Sequence, residues 1–296
     1  MKKIFILSIM AILFLVPLTG AVNVTNFIKD DINSAVENVL NADFTHTVLA
    51  EYASKNTCPL CPPASNQLYD IYTSGGYDFY YVTLVYLEEG GTPLNVVRRL
   101  QELEIGGVPD VHFDGKYMNV LGKQSNDQPY RNAINQSGER EVPDIDIDID
   151  VSWLGFGTLK ITVAVYDNEI EEFKGHLRTY IVEKESRWDD QSGNPYHYAV
   201  LDIPINRNLA LTRSKPRPIG GSYEFTKTWF GALHGFGDIT KENILVIGAV
   251  FDKDSEAVQT ASATPSSSGS MPHPFFLGFL EKFPNVFPII KHLFGL

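Results

Sequence analysis

The run Cys58-Pro59-Leu60-Cys61 holds the only two cysteines among the 296 residues of this chain. Residues 45–52 (THTVLAEY) precede it and have the composition of a strand. Leu68, Ile71 and Tyr72 follow it at helical spacing. The run therefore lies where a strand turns into a helix. Two thiols separated by two residues can close a disulfide and reopen it by thiolate attack, so this context favours a redox role.

Such a pair needs one exposed sulfur of low pKa and a second sulfur that can resolve the mixed disulfide. The start of a helix stabilises a thiolate because the helix dipole is positive there. Pro59 and Leu60 are uncharged and give no indication of redox poise. The sequence therefore leaves open whether the pair reduces, oxidises or isomerises disulfides. A purely structural disulfide is the alternative.

Length and composition limit the number of domains and the kinds of ligand that the chain can bind. A chain of 296 residues is typical of about two domains, and 44% apolar residues suffice for a core in each. The formal net charge of -12 argues against nucleic-acid binding because phosphates would be repelled. Two cysteines exclude a four-cysteine zinc site, and no histidine stands at ligand spacing from them. We expect neither a metal nor a cofactor.

The N-terminal residues indicate export. Lys2 and Lys3 precede an apolar run over residues 4–16, and the small residues Gly20 and Ala21 follow. This is the order of a secretory signal, and the run is shorter than the roughly 20 residues of a membrane span. An uncleaved N-terminal anchor is the alternative. We expect an extracytoplasmic protein of the cell envelope, where disulfides persist.

Residues 43–141 predict the order β-α-β-α-β-β-α. Residues 79–86 are aromatic and β-branched, as in a strand buried on both faces. Residues 93–104 repeat apolar side chains (Leu94, Val97, Leu100 and Leu103) at helical steps and predict a helix. Asp114-Gly115 suits the turn of a hairpin. Residues 130–134 would begin a closing helix.

This order, with a C-x-x-C after the first strand and Gly-Val-Pro at residues 107–109, resembles the thioredoxin-like superfamily. The likeness is greatest to extracytoplasmic members, namely membrane-tethered thioredoxins and outer-membrane-protein relatives with an appended β-domain. It implies that Cys58 is the attacking thiol and Cys61 the resolving thiol. It also implies that Pro109 is a cis-proline facing the disulfide and that Val108 offers its backbone to an extended substrate.

The sequence departs from the family pattern in three places. Thr57 stands before the first cysteine, where tryptophan is usual, and Pro62 and Pro63 directly follow the motif. The buried acid expected on the first strand has only Glu51 as a near match, offset by about one position, so Glu51 is the candidate proton relay. His112 is expected either near the sulfurs or as an ordinary strand histidine.

Residues 142–258 have a different pattern. Residues 144–151 alternate Asp with Ile or Val, which places the apolar side chains on one face and the Asp side chains on the other. The Asp row predicts either a solvent-facing strand that discourages edge pairing or a calcium site. More alternating runs follow, and residues 184–195 predict a loop. The expected fold class is an α/β thioredoxin-like domain followed by an all-β immunoglobulin-like sandwich.

The C-terminal residues change character again. A Ser/Thr-rich stretch predicts a flexible linker. The tail after it is densely apolar but contains Pro284 and Pro288, which favours short amphipathic helices at a membrane or partner, or on the protein itself, over a membrane span. The predicted segments are a signal peptide (1–21), an N-terminal helical extension (22–42), the thioredoxin-like domain (43–141), the β-sandwich (142–258), the linker (259–271) and the tail (272–296).

These features predict an exported thiol–disulfide oxidoreductase that acts on protein or peptide disulfides. Its catalytic pair would be Cys58 and Cys61, with Val108 and Pro109 binding the substrate. A protein that donates or accepts electrons is required for turnover. The alternative is a non-catalytic cell-envelope binding or scaffold protein in which the C-x-x-C pair is a structural disulfide.

Overall fold

The computed structural model describes residues 44–169, 172–211 and 221–267. The predicted signal peptide, N-terminal extension and apolar tail lie outside these residues. The described part contains twelve β-strands, three α-helices and one short 3₁₀ helix. None of the helices within it has the length and apolar character that crossing a bilayer requires.

Strands and helices alternate in the first part of the described chain, and strands dominate the rest. In chain order the elements are β1 (Val48–Lys55), α1 (Cys61–Ser74), β2 (Phe79–Tyr86), α2 (Leu94–Glu102), β3 (Asp110–Phe113), β4 (Met118–Leu121), α3 (Gln128–Gly138), β5 (Ile145–Gly155), β6 (Thr158–Asp167), β7 (Phe173–Asp189), β8 (Pro195–Leu211), β9 (Ser222–Phe230), the 3₁₀ helix (Gly231–His234), β10 (Ile244–Phe251), β11 (Ala257–Ala263) and β12 (Ser266–Ser267).

Several local predictions can be compared with these bounds. The strand over residues 79–86 is confirmed as β2. The C-x-x-C helix ends at Gly75, whose φ of 68° is left-handed and closes the helix. The prediction of a loop over residues 184–195 is wrong for residues 184–189, because β7 continues to Asp189; the loop is confined to residues 190–194, and β8 begins at Pro195. Register shifts between these two strands obscure the alternation in the sequence.

The strands form two sheets. One has eight strands in the order β11-β10-β7-β8-β2-β1-β3-β4, and the other has four in the order β12-β5-β6-β9. In the larger sheet β1 pairs parallel with β2 and antiparallel with β3. β2 also pairs parallel with β8, where Thr83 is opposite Ala199. The hydroxyl of Thr83 donates to the carbonyl oxygen of His197 at 2.7 Å and strengthens this junction.

The predicted fold class, an α/β thioredoxin-like domain followed by an all-β immunoglobulin-like sandwich, is wrong. Strands β7, β8 and β10, which the sequence assigns to the sandwich, continue the sheet that contains β1–β4, and so does β11. Each of β7 and β8 has 17 residues and spans about 55 Å when extended. Both strands belong to the larger sheet, and the register of their pairing shifts between Thr179 and Val182. The alternation of apolar and polar residues predicts that a segment forms a strand, but it does not predict which edge of a sheet that strand joins.

Part of the predicted linker also consists of strand residues. β11 covers residues 257–263 and pairs antiparallel with β10. β12 covers residues 266–267 and pairs parallel with β5 at Ser152 and Trp153. Residues 259–263 and 266–267 are therefore held in the two sheets.

Three clusters of buried apolar side chains form the core. One lies between helices α1 and α3 and one face of the larger sheet and includes Tyr52. A second lies on the opposite face, beneath α2, and includes Leu49. The third lies between the two sheets and includes Ile145 and Ile147, while Asp146 and Asp148 face solvent, which confirms the alternation predicted for β5. Leu49 and Tyr52 both lie on β1 but belong to clusters on opposite faces of the larger sheet, as the alternation of side chains along a strand requires.

Candidate functional site

Cys58 and Cys61 form a disulfide at the N-terminus of α1, with Cα atoms 5.5 Å apart. Cys61 is the first residue of the helix and is fully buried, whereas 7% of Cys58 is exposed. An external partner therefore meets Cys58 first. Pro62 and Pro63 occupy the first helical turn, where the backbone N–H has no intrahelical partner, so proline is tolerated there.

The loop before β3 lies against the disulfide. Sγ of Cys58 is 3.8 Å from the carbonyl oxygen of Val108, and the Val108–Pro109 peptide bond is cis. The carbonyl oxygen of Pro109 accepts the N–H of Gly122 at 2.7 Å, which ties this loop to the end of β4. The structure thus brings the two cysteines together with the two residues predicted to bind substrate.

A groove of about 640 Å³ opens beside Val108. Val97, Leu100 and Ile105 form much of its apolar lining. The side chains that α2 buries are those of Val96 and Arg99, whereas Val97 and Leu100 are half-buried. Val97 and Leu100 of α2 therefore line the groove, and Leu100 also packs against the core.

Glu51, the candidate proton relay, is fully buried on the α2 side of the sheet. Its carboxylate accepts two hydrogen bonds from Arg99, at 2.7 and 2.5 Å, and one from the Tyr180 hydroxyl at 2.7 Å. Burial raises the pKa of Glu51, but the charge and hydrogen bonds of Arg99 outweigh burial, and the net pKa is lowered. The carboxylate is therefore held ionised within an ion pair, on the face of β1 away from α1.

The residue next to it, Tyr52, faces α1 instead. Its hydroxyl donates to the carbonyl oxygen of Cys61 at 2.9 Å. Sequence reasoning missed this contact, although the period of two along a strand could have found it, because Glu51 and Tyr52 must point to opposite faces. Two further hydroxyls, of Ser54 and Tyr196, join Tyr52 beneath the disulfide. No local pattern indicates Tyr196, which lies on β8.

His112 belongs to a hydrogen-bonded cluster of the hairpin. It pairs with Glu51 across β1 and β3, so it lies on the same face as Glu51. Its Nδ1 is 3.1 Å from the carbonyl oxygen of Gly115, and its Nε2 is 3.2 Å from the carboxylate of Asp110. The amide of Asn119 donates to the same carboxylate at 3.0 Å. His112 is thus engaged within the sheet.

The acidic row on β5 lies on the solvent face of the smaller sheet. Asp146 accepts a hydrogen bond from the amide of Asn168 at 2.8 Å. Within residues 44–169, 172–211 and 221–267, no group of three or more His, Cys, Asp or Glu side chains is arranged to hold a metal ion. The Asp side chains of β5 are exposed, so they form a charged row that faces solvent.

Comparisons with known proteins concern the fold. No protein-family model and no curated protein sequence matches the chain. HBP35 of Porphyromonas gingivalis has a similar structure, with a TM-score of 0.56 and 14% identity over 77% of this chain and 79% of that chain. A protein of Agrobacterium tumefaciens matches with a TM-score of 0.44 and 12% identity, over 77% of this chain and 98% of that chain. A GH3 β-glucosidase of Bifidobacterium adolescentis matches with a TM-score of 0.26 and 16% identity, over 44% of this chain and 18% of that chain.

At such identities the likeness to HBP35 shows a shared fold and nothing about activity. The other two TM-scores are below 0.5 and carry no argument.

Proposed function

We propose that this chain is an exported thiol–disulfide oxidoreductase that acts on protein or peptide disulfides through Cys58 and Cys61. The observation that carries the proposal is the position of the pair at the start of α1, with Sγ of Cys58 3.8 Å from the carbonyl oxygen of Val108. The start of a helix stabilises a thiolate, and partial exposure lets the thiolate react with an external partner. The resemblance to the thioredoxin-like superfamily stays a prediction.

The reaction is thiol–disulfide exchange. In the reducing direction the Cys58 thiolate attacks one sulfur of the substrate disulfide, a mixed disulfide forms, and the other substrate sulfur leaves as a thiolate. The Cys61 thiolate then attacks Sγ of Cys58, which closes the Cys58–Cys61 bond and releases the second substrate thiolate. The substrate gains two electrons, and an external dithiol protein must return them to the pair. In the oxidising direction the steps reverse and an acceptor protein is needed.

The groove beside Val108 suits an extended, partly apolar peptide. Val108 belongs to its lining, so a chain lying in the groove passes the residue whose carbonyl oxygen is 3.8 Å from Sγ of Cys58. Leu60 within the motif and Tyr86 at the end of β2 are 48% and 44% exposed, which leaves apolar contact area around the disulfide. An apolar segment of a protein substrate can cover both.

The location and partners of the protein belong to the same proposal. The apparent secretory signal of residues 1–21 supports export to the cell envelope, where the pair would meet oxidised substrates. The apolar tail of residues 272–296 supports attachment to a membrane or an envelope partner. Both segments lie outside the described residues, so their roles rest on the sequence.

A structural disulfide is the second candidate, and the burial of Cys61 favours it. In that case the chain is a non-catalytic cell-envelope binding or scaffold protein. The two candidates differ in the reactivity of Cys58 after reduction, because a structural pair does not exchange with external disulfides at a useful rate.

Trapping of a mixed disulfide separates the two candidates. A Cys61→Ser variant, incubated with a peptide that contains one disulfide, should accumulate a covalent adduct at Cys58 that dithiothreitol releases and mass spectrometry detects. The matched control is Cys58→Ser, whose remaining Cys61 is fully buried and should form no adduct. Absence of an adduct in both variants would refute the oxidoreductase and leave the structural disulfide.

The reduction potential then decides the direction. A value near about -270 mV indicates a reductant, and one near about -120 mV indicates an oxidant. A value well below about -300 mV identifies a structural bond.

A further inference from the structure

Three buried hydroxyl groups form a chain beneath the disulfide, and one of them comes from the β-rich part of the molecule. Tyr52 and Ser54 lie on β1, and Tyr196 lies at the start of β8. All three residues are fully buried. Since β8 follows the C-x-x-C motif by more than a hundred residues in the sequence, this contact exists only because β8 joins the sheet beside β2.

The hydroxyl chain reaches the backbone of both cysteines. Tyr196 donates to the carbonyl oxygen of Lys55 at 3.1 Å, and the amide N–H of Cys58 donates to the same oxygen at 3.0 Å. At the other end, Tyr52 donates to the carbonyl oxygen of Cys61 at 2.9 Å. The two ends of the chain thus hold the segment on either side of the motif.

Ser54 connects the two tyrosines. Its Oγ is 2.9 Å from the hydroxyl oxygen of Tyr196 and 3.1 Å from that of Tyr52. Because the single hydroxyl hydrogen of Tyr196 is directed to Lys55, Ser54 is the donor to Tyr196. Burial raises the pKa of Tyr196 to about 12, so this hydroxyl stays protonated and donates at neutral pH. Tyr52 carries one hydroxyl hydrogen, which is shared between the carbonyl oxygen of Cys61 at 2.9 Å and Oγ of Ser54 at 3.1 Å.

We propose that Tyr196 is a positioning residue of the Cys58–Cys61 pair. Through Lys55 it holds the backbone of Cys58, and through Ser54 and Tyr52 it supports the backbone of Cys61. The two sulfurs then stay close when the disulfide opens, and proximity favours closure of the bond. The inference rests on the proposed function, because such positioning matters to a pair that cycles between disulfide and dithiol.

The test measures the equilibrium between the disulfide and dithiol forms of the full chain in glutathione buffers. Tyr196→Phe removes the hydroxyl and keeps the ring. We expect the equilibrium to shift towards the dithiol by up to about fivefold, the value for a buried hydrogen bond that only the disulfide form makes. Ser54→Ala interrupts the same chain at its centre and should shift the equilibrium in the same direction.

Tyr130→Phe is the matched control. Tyr130 is also fully buried and packs in the same cluster, but its hydroxyl has no hydrogen-bond partner among the described residues. Its loss should leave the disulfide–dithiol equilibrium unchanged. Near-UV circular dichroism checks the fold of each variant, and if Tyr196→Phe alone loses its native spectrum, Ser54→Ala decides the result.

The proposal is overturned if Tyr196→Phe and Ser54→Ala, both folded, have the equilibrium of the unmodified chain, or if Tyr130→Phe shifts it equally. This outcome is distinct from failure of the proposed function. A trapped mixed disulfide at Cys58 without an equilibrium shift refutes only the positioning role. A shift without trapping supports positioning of a disulfide that does not exchange with substrates, and refutes the oxidoreductase.

Discussion

Glu51 and Arg99 form a buried, two-pronged ion pair that joins β1 to α2. Nε and Nη2 of Arg99 donate to the two carboxylate oxygens at 2.7 and 2.5 Å. The Tyr180 hydroxyl, from β7, adds a third hydrogen bond to the same carboxylate. The pair therefore connects the strand before the disulfide, the helix beside the groove and the β-rich part of the chain at one buried point.

Removing the negative charge of this pair should destabilise the protein strongly. Glu51→Gln keeps the size of the side chain but leaves the buried guanidinium of Arg99 with Glu102, a partly exposed carboxylate 3.2 Å from Nη1, as its remaining counter-ion. We expect a loss of about 3 to 5 kcal/mol in the free energy of unfolding, measured by urea denaturation. Glu104→Gln is the control, because Glu104 pairs with Lys116 at the surface and solvent weakens that interaction. Equal losses in the free energy of unfolding of both variants would show that the buried pair stabilises the protein no more than the surface pair does.

The same ion pair predicts how stability depends on acid pH. Burial raises the pKa of Glu51, but Arg99, with further contributions from Arg178 and the Tyr180 hydroxyl, lowers it below the ordinary value of 4.5. The unfolded chain therefore takes up a proton near pH 4.5, whereas the folded chain keeps the carboxylate ionised. The stability from this group is fully present above about pH 4.5 and is lost as the pH falls through the folded pKa.

Chemical denaturation between pH 7 and pH 3 measures this effect. The free energy of unfolding of the unmodified chain should decrease below about pH 4.5, and the Glu51→Gln variant should show a shallower decrease. Parallel curves for the two proteins would show that Glu51 does not contribute to the acid sensitivity.

Gly115 lies where the β3–β4 connection meets the β10–β11 turn. Its φ is +68°, and a Cβ atom there would meet the carbonyl oxygen of Ser255 and the ring of Phe251. Gly115→Ala should therefore suffer both left-handed strain, about 1 to 2 kcal/mol, and overpacking, about 1 to 3 kcal/mol. Gly122→Ala is the control, because Gly122 has a φ of +81° but no atom within 4 Å of the added Cβ.

Thermal or urea unfolding of the two alanine variants separates the two contributions. The Gly115 variant should be less stable than the Gly122 variant by about 1 to 3 kcal/mol, the cost of overpacking. Equal stability of the two variants would mean that the β3–β4 connection and the β10–β11 turn move apart freely, and that their contact contributes little to the free energy of unfolding.

Local elements of the site follow from the sequence. The β-branched and aromatic run of residues 79–86 forms β2, and the C-x-x-C motif lies at the strand-to-helix turn that its neighbours predict. The alternation of Asp and Ile places the two residue types on opposite faces of β5. These features depend on neighbours in the chain, so a pattern of two or about four residues suffices to predict them.

The sequence did not indicate which charged and hydroxyl side chains surround the disulfide. Arg99 lies on the same helix as Val97 and Leu100, yet it is the buried residue, since Glu51 compensates its charge. Tyr196 bonds to Lys55 across a separation of 141 residues. Ion pairs and hydrogen bonds over such distances leave no periodic signal, and only the packed structure selects the partners.

The sequence by itself determined a C-x-x-C pair at the start of a helix, a Gly-Val-Pro loop and a series of alternating strands. The tertiary structure decided that the later strands extend the first sheet, that Tyr52 rather than Glu51 faces the disulfide helix, and that Tyr196 lies beneath it. The physical reason is that alternation defines two faces of a strand but not its neighbour. The open edge of β2 and the long β8 pair because each satisfies backbone hydrogen bonds of the other.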